Sequence, residues 1–224
     1  AAGGSVPNFP ENMANFKKQV LENVPGDFFV DSTCIDCDAC RELAHDMVGE
    51  ASDTSVVKHQ PSTVQERRLA LRALLACPTG SIGSQGSDDP KSVINDFPLL
   101  LEEPVYYVGF NSRKSYGGNS YLVRRAAGNW LVDSPKYLPH LVENIERLGG
   151  IQFIFLTHSD DVADADKYAR HFSAQRVIHQ QELSSQPEAD VVLRGDSPVE
   201  LAPGCLAIPT PGHTAGHCCL LVDD

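Results

Sequence analysis

Three cysteines separated by two-residue gaps, Cys34-Ile-Asp-Cys37-Asp-Ala-Cys40, are answered far downstream by Cys77-Pro78. The first three thiols make one short turn of soft ligands, and the fourth comes from elsewhere in the chain. Four thiolates converging from several directions suit a cubane iron–sulfur cluster. The reading is therefore one [4Fe-4S] cluster, or its [3Fe-4S] form, bound by Cys34, Cys37, Cys40 and Cys77. A tetrahedral zinc usually takes its thiols as two separate pairs. A structural zinc and four unligated core thiols stand as the alternatives. Asp36 and Asp38 lie between the ligands; their charge favours the oxidised state and lowers the potential, while backbone amides donating to sulfur act in the opposite sense.

The run resembles bacterial-type ferredoxins. In two-cluster members a fourth Cys-Pro follows within a few residues, but here Arg41-Glu42-Leu43-Ala44-His45 follows instead. The distant Cys77-Pro78, 77 − 40 = 37 residues on, matches the single-cluster pattern. Cys77-Pro78-Thr79-Gly80-Ser81-Ile82 is similar to that family's closing motif. The resemblance covers residues 20–100 and implies an α+β ferredoxin-like domain, with residues 1–19 as an irregular arm before it.

A second group of residues is Phe155-Leu156-Thr157-His158-Ser159-Asp160-Asp161-Val162-Ala163-Asp164-Ala165, together with Pro211-Gly212-His213-Thr214-Ala215-Gly216-His217. The latter resembles the Pro-Gly-His-Thr-x-Gly loop of the metallo-β-lactamase superfamily, whose glycines let the backbone turn tightly enough to aim an imidazole. Asn119–Val123 and Trp130–Asp133 resemble that family's opening strands, and Phe155–His158 the strand that ends in its main metal loop. The resemblance implies a metallo-β-lactamase-like αββα sandwich over residues 101–224. The family's loop reads His-x-His-x-Asp-His. In strict register Asp160 replaces the second His, Val162 the Asp and Ala163 the last His. A register two residues longer puts Asp164 at the Asp position, with Ala165 still replacing the His. The resemblance thus implies His158, Asp160 and His213 as metal ligands, with Asp161 and Asp164 as ligand or base. A single Zn, Fe or Mn ion is expected in place of a binuclear zinc site, since carboxylates suit harder cations; a metal-free remnant is the alternative. His217 is either an outer partner of the metal or a packing residue. The family's bridging Asp lies beyond Asp224, only 224 − 213 = 11 residues past His213, so the chain is expected to end inside this domain.

The elements that must position these groups can be read from pattern. A short helical stretch is expected over 15–23, a strand over 28–30 and a helix over 41–50. Ser55–His59 is β-rich. Ser62 or Thr63, answered by Gln65 or Glu66, caps a helix that ends near Ala76 and delivers Cys77. Gly80–Pro90 reads as a boundary. Strands follow over 105–110, 120–124, 129–133, 151–156, 176–179, 206–209 and 218–222. Helices are expected over 137–148, stopped by Gly149-Gly150, and over 163–172. Strands alternating with helices indicate an α/β layered fold.

The chain has 224 residues, 42% of them hydrophobic, and a net charge of −12. That charge argues against nucleic-acid or anionic-membrane surfaces, which need clustered Lys and Arg. No apolar run reaches the ~18 residues of a membrane span. Seven cysteines, four of them in cluster spacing, do not form a secreted disulfide framework. A reducing compartment is expected, and the pairing of domains resembles proteins of the chloroplast stroma. The missing N-terminal Met reads as processing or trimming.

Two functions are carried forward. One is a metal-dependent hydrolase or oxidoreductase acting on a small-molecule substrate, with an iron–sulfur module in front. The other is a non-catalytic iron–sulfur protein, using the lactamase fold as a scaffold for electron transfer with a redox partner or for assembly of a complex.

Overall fold

The computed structural model describes residues 14–223; most of the expected arm, residues 1–13, lies outside them. The chain divides into two units, one running to Phe97 and taking in Leu138–Glu143, the other Pro98–Tyr137 with Asn144–Asp224. Among the described residues no helix is long and apolar enough to cross a membrane.

The first unit starts with one 3-10 turn, Phe16–Lys18, where a longer helical stretch was expected. Backbone pairing wins: Val20 donates to the Val30 carbonyl, and Gln19 bridges Asp31. β1 (Phe28–Val30) is buried along its length. The cysteine turn leads into α1 (Ala39–Leu43), which stops well short of the expected Glu50. Val48–Ala51 is instead β2, paired antiparallel with β3 (Thr54–Val57). Gly49 would cost about 1 kcal/mol in a helix interior, and Val56 and Val57 offer a ladder partner.

α2 (Val64–Ala76) has the expected cap: Thr63 Oγ1 accepts from the Glu66 amide, and the Glu66 carboxylate accepts from the Thr63 amide. Cys77 is its C-terminal cap, so the helix itself delivers the fourth thiol. β4 (Ile82–Ser84) then pairs antiparallel with β1. The Gly80–Pro90 stretch therefore belongs to this unit and is no boundary.

From Pro98 on the chain runs β5 (Leu99–Glu102), β6 (Val105–Tyr107), β7 (Tyr121–Val123), β8 (Trp130–Val132), α3 (Pro139–Arg147, divided between the two units at Glu143), β9 (Phe153–Phe155), α4 (Ala165–Phe172), β10 (Gln175–His179), β11 (Val191–Leu193), β12 (Val199–Ala202), β13 (Cys205–Pro209) and β14 (Cys218–Val222). Seven strands form one sheet in the order β11-β10-β9-β8-β7-β6-β5. β8 to β11 are parallel, and β5 to β8 antiparallel. β12, β13 and β14 form an antiparallel three-stranded sheet.

Alternation along the strands explains the stacking. Val123, Trp130, Phe155, Val177 and Leu193 share one face of the large sheet and pack with Cys205, Ala207 and Cys218 of the small one. Trp130 stacks on Phe153 at 4.4 Å. The opposite face carries Leu122, Leu131, Ile154 and Ile178, all fully buried, and α4 packs against β10. The two stacked sheets are the centre of the expected sandwich. β11 and β12 are strands not expected from the sequence.

Parallel strands send their C-terminal ends to one edge of a sheet, where α/β folds gather functional groups. Asp133 follows β8, Thr157-His158 follow β9, and His179 closes β10.

Candidate metal centres

The four cysteines come together in the first unit. None is in a disulfide; Cys40 and Cys77 are buried, Cys34 and Cys37 partly so. Asp36 and Asp38 take left-handed backbone angles, φ 55° and 68°, which bend the chain between the ligands; Asp is among the side chains that tolerate this region best. Burial pushes the Cys40 thiol up to about 12, with the Ser55 contact opposing and the charges of Cys77, Cys34 and Cys37 adding to the rise. Burial likewise raises Cys37; its Ala39 amide contact opposes, and Cys77 and Cys34 push the same way as burial.

These thiols face one another and cannot share their negative charges unaided. A cationic metal centre resolves that conflict by binding the thiolates, so the donor set fits an iron–sulfur cluster. Amides already point at the sulfurs: Ser81 to Cys77 at 3.3 Å, Asp36 to Cys34 at 3.4 Å and Ser55 to Cys34 at 3.5 Å. The charges of Asp36 and Asp38 are offset in part, because Arg41 pairs with both and leaves one net negative charge.

In the second unit, His158, Asp160 and His213 present donor atoms within 4.8 Å of one another. His213 Nε2 lies 3.1 Å and His158 Nε2 3.9 Å from Asp160 Oδ2. The two imidazoles meet edge to face at 5.0 Å. His158 is 7% exposed, and its orientation is fixed from behind. Its Nδ1 lies 2.9 Å from Thr157 Oγ1, which is 3.0 and 2.9 Å from the two Asp133 oxygens. Above about pH 8, where Asp133 is ionised, the donor chain runs from His158 Nδ1–H to Thr157 and from the Thr157 hydroxyl to Asp133. That tautomer leaves the Nε2 lone pair facing Asp160, the arrangement a metal-binding histidine needs. Two imidazoles and a carboxylate, with one buried and one exposed flank, fit a single ion with open positions.

The structure separates the two remaining candidate carboxylates. Asp161 stays beside the histidines. Burial raises its pKa, the His158 charge lowers it, Asp160 raises it again, and His213 and His217 lower it, for a net upward shift. Its carboxylate lies against Gly118, where any Cβ would collide with it. Asp164 is turned elsewhere: it accepts from Lys114 Nζ at 2.8 Å and from the Tyr137 amide at 3.0 Å, and pairs with Lys167 at 3.0 Å. Burial works against ionisation there, but these partners hold Asp164 below the ordinary carboxylate range.

His217 joins the group, its ring 5.2 Å from that of His158. Burial first, then repulsion from His158 and His213, depresses its basicity.

Sequence reading missed Glu182. This buried carboxylate accepts from the Gly216 amide at 2.7 Å and the Ser159 amide at 3.2 Å, so it ties the two histidine loops together. A Cβ on Gly216 would meet Glu182 at 2.8 Å, so only glycine permits the approach. The Cys218 amide adds a second tie, donating to the Thr157 carbonyl at 2.9 Å.

Asp133 gives a pH prediction. Burial pushes its carboxyl up to about 8; the Thr157 hydrogen bonds oppose the rise, and the Asp161 charge adds to it. An unfolded Asp titrates near ~3.9. The native state therefore holds a proton that the unfolded state releases, and the stabilisation present below pH ~4 is lost as pH rises towards 8, by up to about 1.4 kcal/mol per unit. Urea unfolding of the metal-free unit, followed by the fluorescence of Trp130, the single tryptophan, should give a midpoint that falls from pH 5 to pH 8. Asp133→Asn should flatten that slope, and an equally steep slope in the variant would exclude Asp133 as its source.

Residues 30–84 match the family model of the 4Fe-4S single cluster domain of Ferredoxin I. The chain therefore carries a single-cluster ferredoxin-type domain. No curated protein matches the chain. Among solved structures it is similar to a metallo-β-lactamase of Cronobacter sakazakii with a HARLDQ motif, at 20% identity and TM-score 0.45, over 55% of this chain and 58% of that one. It is also similar to a subclass B3 metallo-β-lactamase of Bradyrhizobium japonicum, at 22% identity and TM-score 0.42, over 56% and 57%. A class B3 di-zinc metallo-β-lactamase from an Alaskan soil metagenome shares 16% identity, at TM-score 0.45, over 62% and 61%. The chain spans 58% and 57% of the length of the first two.

Proposed function

We propose that this iron–sulfur protein is a metal-dependent hydrolase or oxidoreductase, with a one-metal site at His158, Asp160 and His213 of its second unit. The observation that carries the reading is the convergence of those three donors within 4.8 Å. A pure scaffold would have no physical need for it. The metal, when bound, would polarise a small-molecule substrate or lower the pKa of a bound water. Thr157, backed by Asp133, fixes the His158 ring from behind, Glu182 keeps the two loops in register, and Asp161 is read as the general base. Asp161 lies beside the histidines with its carboxylate against Gly118, within the site where a proton would be taken. The cluster is read as exchanging electrons with a redox partner. The free thiols support a reducing compartment, and the resemblance of the domain pairing points to the chloroplast stroma.

The test is a panel of esters and thioesters, offered to protein holding both the cluster and the second metal. Asp161→Asn should lower kcat by about 10²–10⁴ with the second metal retained. An unchanged kcat in the variant would remove Asp161 from the role. Absence of turnover by protein that holds the second metal would overturn the enzymatic reading in favour of electron transfer or complex assembly.

A further inference from the structure

We propose that Arg41 is a positioning residue of the cluster: it offsets part of the charge of Asp36 and Asp38 and aims the Ser55 hydroxyl at Cys40, and so raises the reduction potential. The inference rests on the cluster at Cys34, Cys37, Cys40 and Cys77 and is independent of any second metal.

Arg41 sits one residue past the third ligand, in α1. Its side chain is only 17% exposed. Nη1 donates to Asp36 Oδ1 at 2.6 Å and to Ser55 Oγ at 2.9 Å, while Nε donates to Asp38 Oδ1. One guanidinium therefore holds both acidic residues of the ligand turn and reaches across to β3.

Ser55 is the informative partner. It is 1% exposed, and its Oγ lies 3.4 Å from Cys40 Sγ. Its amide points at Cys34 Sγ from 3.5 Å. A serine hydroxyl has one hydrogen, and a ligated thiolate has none. Because Arg41 donates to Ser55 Oγ, the serine hydrogen is directed away from the guanidinium and towards the Cys40 sulfur. Ser55 thus serves two ligand sulfurs while a charged group pins it in place.

Reduction adds an electron to an anionic centre, so its potential depends on net charge and on hydrogen bonds to sulfur. Removing Arg41 would expose two carboxylates beside the ligands and free the Ser55 hydroxyl to rotate. Both changes make reduction harder.

The experiment is an anaerobic potentiometric titration of the full chain, with the reduced cluster followed by electron paramagnetic resonance. Arg41→Gln should cut the reduced-to-oxidised ratio at fixed ambient potential about tenfold, a downward shift of about 59 mV for a one-electron couple. Ser55→Ala should shift it down by less, and add nothing in the Arg41→Gln background. Asp36→Asn with Asp38→Asn should shift it upward, since Arg41 is then uncompensated. An unshifted potential in Arg41→Gln would overturn the proposal. If that variant assembles no cluster, the other two decide: opposite shifts support the proposal, and no shift in either overturns it. A wild-type protein without cluster iron would instead overturn the cluster itself, a result visible before any variant is compared.

Discussion

Replacing Cys40 and Cys77 together by serine should leave the protein without cluster iron. These are the two buried thiols of the four, 7% and 9% exposed. They come from opposite sides of the site, one from α1 and one from the end of α2. A serine hydroxyl titrates far above a thiol and is a harder, weaker ligand for iron, and its burial adds to the cost of ionising it. Cys34 and Cys37 would remain, and two thiolates from one turn cannot enclose a cubane. Iron and acid-labile sulfide should fall from about four each per chain to background, together with the visible absorbance. Cys205→Ser is the control. That thiol is also buried but packs between the two sheets of the other unit, so its loss should leave the iron unchanged. Full iron content in the Cys40/Cys77 variant would show that the cluster is held elsewhere.

His158→Ala with His213→Ala should remove the second metal and spare the cluster. The two imidazoles supply two of the three donors, and Asp160 alone cannot retain an ion against water. Loss of a single outer partner of a ligating histidine weakens metal binding by about 10–100-fold; loss of two ligands should exceed about 100-fold. His158 is buried and its Nδ1 faces Thr157, so its truncation leaves a polar hydroxyl short of a partner and costs about 1–3 kcal/mol. His213 is exposed; His213→Ala alone therefore carries little folding cost and should still weaken binding. Equilibrium dialysis against Zn(II), Fe(II) and Mn(II), with Trp130 fluorescence reporting that the unit is folded, separates lost ligation from lost structure. Undiminished binding in the double variant would remove these histidines from the site.

What could be read from the residues was mostly local. The cysteine ligands announce themselves by spacing and by a single Cys-Pro. The cap of α2 is a four-residue pattern, and the stop of α3 is a glycine pair. β7 to β9 are apolar runs bounded by turn signals. The groups that escaped notice act over long sequence distances. Glu182 lies in a 3-10 segment without a motif, 34 residues from the Gly216 amide it binds. Asp133 looks like a strand end until β8 and β9 pair in parallel and bring it under Thr157. Arg41 reads as an ordinary helical residue, and its grip on Asp36, Asp38 and Ser55 depends on left-handed turns that spacing alone does not disclose. β2 falls in a stretch that reads as helix because its partner strand β3, not its own propensity, decides it. Asp160 and Asp164 looked interchangeable by register; only the positions of Lys114, Lys167 and Tyr137 tell them apart.

The central claim is that one chain holds two unlike metal centres, a thiolate cluster and a His–Asp–His ion. Metal and sulfide analysis of the protein purified anaerobically tests it most directly. The account predicts about four iron and four sulfide per chain, plus one further metal ion that disappears in the His158→Ala/His213→Ala variant while the cluster iron stays. Cluster iron alone, with no further ion taken up on dialysis against Zn(II), Fe(II) or Mn(II), would contradict it.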